Sequence, residues 1–178
     1  MSSPSMSSLV VEALSGDDVR GAVGELSDVL IECVEGGASV GFLQPVDPAR
    51  AAEFWTARAD EVEARSAVVL VARVDGRIEG TVQLQLARPQ NQPHRADVAK
   101  LLVHPRARRR GLAAALMTAV EAAARAHDRR LLVLDTLTGS DAARLYRRLG
   151  WQETGEIPDY AMLPDGSLAA TTVLWKRV

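Results

Sequence analysis

The sequence predicts a mixed α+β domain, with a central, mostly antiparallel twisted sheet flanked by helices. Two helical patterns come first. Several short β-rich runs divided by turn signals follow. A strand–helix–strand unit then lies inside what is otherwise an antiparallel order. At 178 residues, 47% hydrophobic and 25% charged, the chain is long enough to bury one sizeable core.

Residues 1–8, MSSPSMSS, are small and polar and lack the charged and apolar regions of a signal peptide. They read as a disordered tail ahead of a single domain, residues 9–178. Val19, Val23, Leu26, Leu30 and Cys33 recur at three- and four-residue spacing, which predicts a helix ended by Gly36-Gly37. Asp47-Pro48 reads as an N-cap with proline at the first helical position. Ala51, Trp55, Ala59 and Val62 give that second helix its apolar face. Residues 68–74 predict a strand, and Asp75-Gly76 predicts a hairpin turn. Val82, Leu84 and Leu86 alternate with Gln83 and Gln85 as in a half-buried strand.

After a polar loop at 87–96 comes a strand over 97–103, then a basic turn, then a helix with Leu112, Leu116, Val120 and Ala123 facing inward. Residues 131–135 are a short apolar strand. Residues 141–149 are a short helix stopped by Gly150, and 151–155 and 171–176 are closing strands. Two helices and two strands are therefore followed by β-α-β-α-β-β.

The basic turn carries the chemistry. Arg106, Arg108, Arg109 and Arg110 stand just before Gly111, where the helix begins. Backbone N–H groups at a helix start lack internal partners, and the helix dipole favours negative charge there. A strand, a basic turn with glycine and a helix N-terminus together form an anion cradle. The cradle matches neither G-x-x-x-x-G-K-[ST] nor G-x-G-x-x-G, so it is not one of the common nucleotide loops.

Composition narrows the partners. A net charge of −2 argues against a dedicated nucleic-acid binder, and no apolar run approaches a membrane span. Cys33 is the only cysteine, and His94, His104 and His127 are not at metal-ligand spacing. No metal is expected, and a reducing cytoplasm is the expected compartment.

Arg108-x-x-Gly111-x-Ala113 resembles motif A of the GNAT (GCN5-related N-acetyltransferase) superfamily, R/Q-x-x-G-x-G/A, which binds the pyrophosphate of acetyl-CoA. The segment DAARLYRRLGW, residues 141–151, is similar to the superfamily's A-x-x-[FL]-Y-x-x-x-G-[FW] signature, and the element order also agrees. GGASVGF at 36–42, KLLV at 100–103, LDT at 134–136, Gly139-Ser140 and Tyr160 with Pro164-Asp165-Gly166 look like the tabtoxin-resistance subgroup, which acetylates an amino-acid-like toxin. The resemblance implies the GNAT fold and an acetyl-CoA-dependent N-acetyltransferase. Its acceptor would be a small-molecule amine, with direct transfer in a ternary complex. It also allows a homodimer, since relatives often pair through their last strands.

The resemblance also implies roles. Arg108, Arg109, Arg110, Gly111, Leu112 and Ala113 would hold the pyrophosphate, chiefly through main-chain N–H groups. Leu101, Leu102 and Val103 would offer backbone groups to the pantetheine arm and polarise the thioester carbonyl. Tyr146 would protonate the departing thiolate. Asp97, eleven positions before Arg108, would act as general base through a bridging water, against the alternative of a strand-edge acid in an ion pair. Asp135 would bind or help deprotonate the substrate amine, against the alternative of an Asp bonding turn amides. Ser140 would touch the cofactor or serve only as an N-cap. Ser39, Phe42 and Tyr160 would line the acceptor site. Cys33 and the tryptophans are read as core or wall. Two alternatives stay open, a protein lysine or N-terminal acetyltransferase and an inert acetyl-CoA- or nucleic-acid-binding module.

Overall fold

The computed structural model describes residues 8–178. The expected tail therefore lies outside the described residues except for Ser8, whose backbone is hydrogen-bonded to Asp75. Strands β1 (Leu9–Leu14), β2 (Ala67–Val74), β3 (Arg77–Leu86), β4 (Arg95–Val103), β5 (Leu131–Leu137), β6 (Gln152–Met162) and β7 (Leu168–Arg177) form one sheet, ordered β1-β2-β3-β4-β5-β7-β6. Every neighbouring pair is antiparallel except β4 and β5, which are parallel and joined through helix α4 (Leu112–Ala126). The expected mixed α+β class is the one found.

Each face of the sheet carries helices. Leu112, Leu116, Met117 and Val120 of α4 pack on Leu84, Ala96, Val98, Leu132 and Leu134. On the other face, α1 (Gly16–Gly21), α2 (Val23–Glu35) and α3 (Pro48–Glu63) bury Leu26, Leu30 and Trp55 against Val69, Val71 and Ile78. Helix α5 (Asp141–Arg148) follows β5 on the α4 side, where Tyr146 and Trp151 join the core. Lys176 of β7 ties this side together, donating to Glu121 of α4 at 2.8 Å and to the Leu149 carbonyl at 2.8 Å.

Several expectations hold in detail. The Asp47 carboxylate caps α3 through the Ala49 N–H at 2.9 Å. Asp75 and Gly76 both have positive φ, 50° and 84°, the pairing that a type I′ hairpin turn requires.

Three elements differ. Strand β1 was not foreseen, because only Leu14 of its six residues is buried and no alternation shows. The first helix is two, divided at Ala22, with the Ser15–Asp18 capping box fixing the start of α1. Strand β6 runs on to Met162 rather than ending near 155, and all of it is exposed, so it carries no apolar period.

Candidate active site

The basic turn and its neighbours form one cleft of about 690 Å³. Its walls are Leu101, Leu102 and Val103 of β4, the start of α4 from Gly111 to Ala114, the face of α5 that carries Ala142 and Leu145, and Leu149 just past the end of α5. Strand register opens it. β4 and β5 pair only at Arg95↔Leu131, Ala96↔Leu132 and Asp97↔Val133, and then the two strands part. β5 stays paired to β7 as far as Leu137, while β4 runs on to Val103 without β5 beside it. The β4 edge beyond Asp97 therefore offers main-chain donors and acceptors to whatever enters.

The helix start is equally open. Helices α1, α3 and α5 begin on capping side chains, Ser15, Asp47 and Ser140. Helix α4 begins on Gly111, with no side-chain cap and no acidic residue in its first turn. Its first N–H groups are left for an outside acceptor. Arg109 and Gly111 both take left-handed φ, 60° and 80°. A Cβ on Gly111 would meet no protein atom within 4 Å, so it would project into the space an anion would fill. The residues present fit a pyrophosphate-bearing group.

The arginines divide. Arg106 faces away from the cleft, its Nε 2.9 Å from both carboxylate oxygens of nearly buried Glu79, with Asp28 at 3.5 Å. It holds the turn to β3 and α2. Arg108 and Arg109 line the cleft, but Arg108 turns its Nε toward the Val103 carbonyl at 3.4 Å. Arg110 is not among the lining residues. Cys33 donates its S–H to the same carbonyl at 3.3 Å, and burial pushes its thiol pKa up. It is a wall residue held as the neutral thiol.

A register shift in β4 sets what faces the acceptor side. Ala99 pairs with Gln83 and Leu102 with Thr81, so one extra residue is accommodated between them and Lys100 has φ +53°. Before this bulge Ala96 and Val98 face α4; after it Leu102 faces the α2–α3 core. Lys100 itself reaches α3, its Nζ 5.6 Å from the Phe54 ring centre.

The predicted chemical groups are only partly brought together. Tyr146 is 6% exposed on the inner side of α5, 5.9 Å from the Trp151 ring. Burial, then the nearby Asp135 carboxylate, pushes its phenol pKa up. Asp135 is exposed where β4 and β5 have parted and accepts from the Thr171 hydroxyl at 3.1 Å. None of Tyr146, Asp135 and Asp97 lines the cleft itself. Asp97 is paired, with Arg95 donating to it at 2.6 Å. Ser140 spends its hydroxyl on the Ala143 N–H at 3.1 Å, the N-cap alternative.

Phe42 packs edge-on against Phe54, with 5.6 Å between ring centres. Its loop is fastened by Gln44, which donates to the Val34 and Glu35 carbonyls and, through its backbone, to Pro164 O in the β6–β7 turn. Ser39 lies half-buried in the same loop, and Tyr160 is 54% exposed on β6. Sequence reasoning gave no role to Phe54, Arg58 or the Lys100 side chain, which meet at the Phe54 ring.

A family model described as an acetyltransferase (GNAT) domain matches residues 65–153, half of the chain, and spans the parted strands, the basic turn and α5. The chain belongs to the GNAT acetyltransferase family. Solved structures carry the same fold around this GNAT domain. The protein yncA from Salmonella typhimurium, solved with its cofactor acetyl-CoA, is 18% identical, with TM-score 0.76 and coverage of 95% of this chain and 93% of that one. A GCN5-related N-acetyltransferase from Kribbella flavida is 19% identical, with TM-score 0.78 and coverage of 96% and 98%. A ribosomal-protein-alanine N-acetyltransferase from Brucella melitensis is 18% identical, with TM-score 0.73 and coverage of 95% and 99%.

Proposed function

We propose that this GNAT domain is an acetyl-CoA-dependent N-acetyltransferase that acylates the amine of a small molecule by direct transfer in a ternary complex. The observation that carries this reading is the uncapped start of α4 opening beside the unpaired edge of β4. An anionic cofactor with an extended arm matches both at once. When bound, acetyl-CoA supplies an activated acyl thioester.

The main-chain N–H groups at Gly111, Leu112 and Ala113 hold the diphosphate, and Arg109 adds charge. The edge of β4 at Leu101, Leu102 and Val103 hydrogen-bonds the arm and the acyl carbonyl. Asp135 would accept from the acceptor ammonium, orient it and help pass its proton to solvent, so that the neutral amine attacks the acyl carbon, while Tyr146 would donate its hydroxyl toward the sulfur that leaves as thiolate. Asp97, already neutralised by Arg95, is a structural ion pair.

The fastened loop with Phe42 gives the acceptor side an apolar wall suited to a small molecule. An amino-acid-like toxin or antibiotic is the acceptor class that the tabtoxin-resistance resemblance supports. A homodimer through the last strands would cover Ile157, Met162 and Leu168, each at least 44% exposed. Sedimentation velocity should then read twice the 19.1 kDa chain mass, and a monomer at tens of micromolar would count against it.

Thiol release from acetyl-CoA across a panel of small amines and a peptide with a free N-terminus tests the central reading. A small amine should raise release well above hydrolysis, and a panel without effect would sink it. Asp135→Asn should lower kcat/KM by about 10–100-fold, the loss of one charge-assisted contact in the transition state. Asp97→Asn should stay within about threefold. The reverse order would restore Asp97 as the base.

A further inference from the structure

We propose that Lys100 determines acceptor specificity by binding an anionic group, a carboxylate or a phosphonate, on the molecule whose amine is acetylated. The inference rests on the acetyltransferase reading above and adds to it what the acceptor must carry.

Lys100 is a cation without a partner. The chain has two lysines. Lys176 is fully engaged with Glu121 and Leu149. Among the described residues the Lys100 ammonium makes no hydrogen bond and no ion pair within 4 Å, only the contact with the Phe54 ring, although the residue is half-buried. A half-buried ammonium with no counter-charge within 4 Å is stabilised when a ligand brings an anion to it.

Its setting is built rather than incidental. The bulge holds Lys100 at φ +53°, a conformation uncommon for a residue with a side chain. Its Nζ stands 5.6 Å from the Phe54 ring and 3.8 Å from where a Cβ on Gly41 would sit, so the α2–α3 loop closes over it. Arg58 lies over the same ring at 5.2 Å, but its charge is already met by Glu61 at 2.7 Å. The positive charge left in this corner belongs to Lys100.

Two further groups point the same way. Gln83 is wholly buried, and neither end of its amide has a partner. It pairs with Ala99, the residue just before Lys100. Asp135 lies close enough to oppose the lowering of the Lys100 pKa by burial and by Arg58. The acceptor side thus has an unneutralised cation near a carboxylate, the complement of a molecule with an anion close to its amine.

The measurement is a ratio, which loss of folded protein does not change. Thiol release is followed with leucine and leucinamide, phenylalanine and phenylalaninamide, and 1-aminoethylphosphonate set against alanine. The wild-type kcat/KM ratio of acid to amide should be about tenfold or more, the scale of one charge-assisted bond to a desolvated partner. It should fall close to one in Lys100→Gln and recover in part in Lys100→Arg. The better of carboxylate and phosphonate identifies the anion. A wild-type ratio near one, or a ratio untouched by Lys100→Gln, overturns the proposal even if turnover is brisk. If no amine supports release, the acetyltransferase reading fails separately. Calorimetric titration of the same acids and amides into CoA-saturated protein then decides for or against Lys100 by the same ratio.

Discussion

Gly111→Glu should cost the protein at least about 100-fold in acetyl-CoA affinity while leaving it folded, as two adverse effects add at one atom. Gly111 sits at φ +80°, where a side chain costs about 1–2 kcal/mol of strain. Since 1.4 kcal/mol is a factor of ten, strain alone accounts for at most part of the loss even if all of it fell on the bound state. The larger part comes from charge. A Cβ at Gly111 points into open space at the uncapped start of α4. A carboxylate built from that position would take the N–H groups meant for the diphosphate and repel it as well.

Gly76→Glu separates the two effects. Gly76 has φ +84° and open space around it, but it lies in the β2–β3 turn, outside the cleft. Both variants should melt lower by roughly 2–8 °C, the shift that such strain produces in a domain of this size. Only Gly111→Glu should lose affinity, as read by calorimetric titration with CoA. A dissociation constant within about threefold of wild type at Gly111→Glu would end the cradle hypothesis.

What made the cradle legible was local chemistry. A glycine after a basic run and before an Ala/Leu-rich helix can be read within fifteen residues, and Asp75-Gly76 can be read within two. What stayed hidden depends on partners distant in sequence. Arg106 reads from the sequence as solvated helix-end charge, but its carboxylate partner is Glu79, 27 positions earlier. Asp97 had two readings of similar standing, and only the geometry showed Arg95 folded onto it. β1 and β6 are held by backbone pairing with β2 and β7 rather than by buried side chains, so apolar periodicity could not mark them. The two-part first helix kept a continuous apolar face, because Val19, Leu26, Leu30 and Cys33 enter the same core across the break at Ala22. The bulge that lets Lys100 reach Phe54 of α3 is likewise absent from the periodicity of the sequence.

Tyr146→Phe should lower kcat by about 10²–10⁴, the usual yield of a positioned proton donor, and should leave acetyl-CoA affinity unchanged. Phenylalanine keeps the ring packed on Trp151, so the variant removes the hydroxyl without opening the core. The raised pKa sharpens what that hydroxyl can do. A thiol has a pKa of about 8.5, and a free tyrosine about 10. Burial and Asp135 hold Tyr146 above its free value, so complete transfer of its proton to the thiolate is uphill. The phenol therefore acts chiefly by giving a hydrogen bond as charge builds on sulfur, and it stays protonated across the whole working range.

Two pH measurements follow from that state. The kcat profile should show no alkaline limb from Tyr146 below pH ~10. A limb near pH 8–9 that vanishes in Tyr146→Phe would mean that the phenol ionises where this environment forbids it. Stability gives the second. The folded pKa lies above the unfolded one, so the contribution of the neutral phenol is complete below pH ~10 and is lost as pH rises from there toward the folded value. Wild type should therefore lose stability relative to Tyr146→Phe only above that pH, as read by urea midpoints. Parallel curves would mean that the phenol titrates as if in water, and with that the argument for a buried donor beside Asp135 would fall.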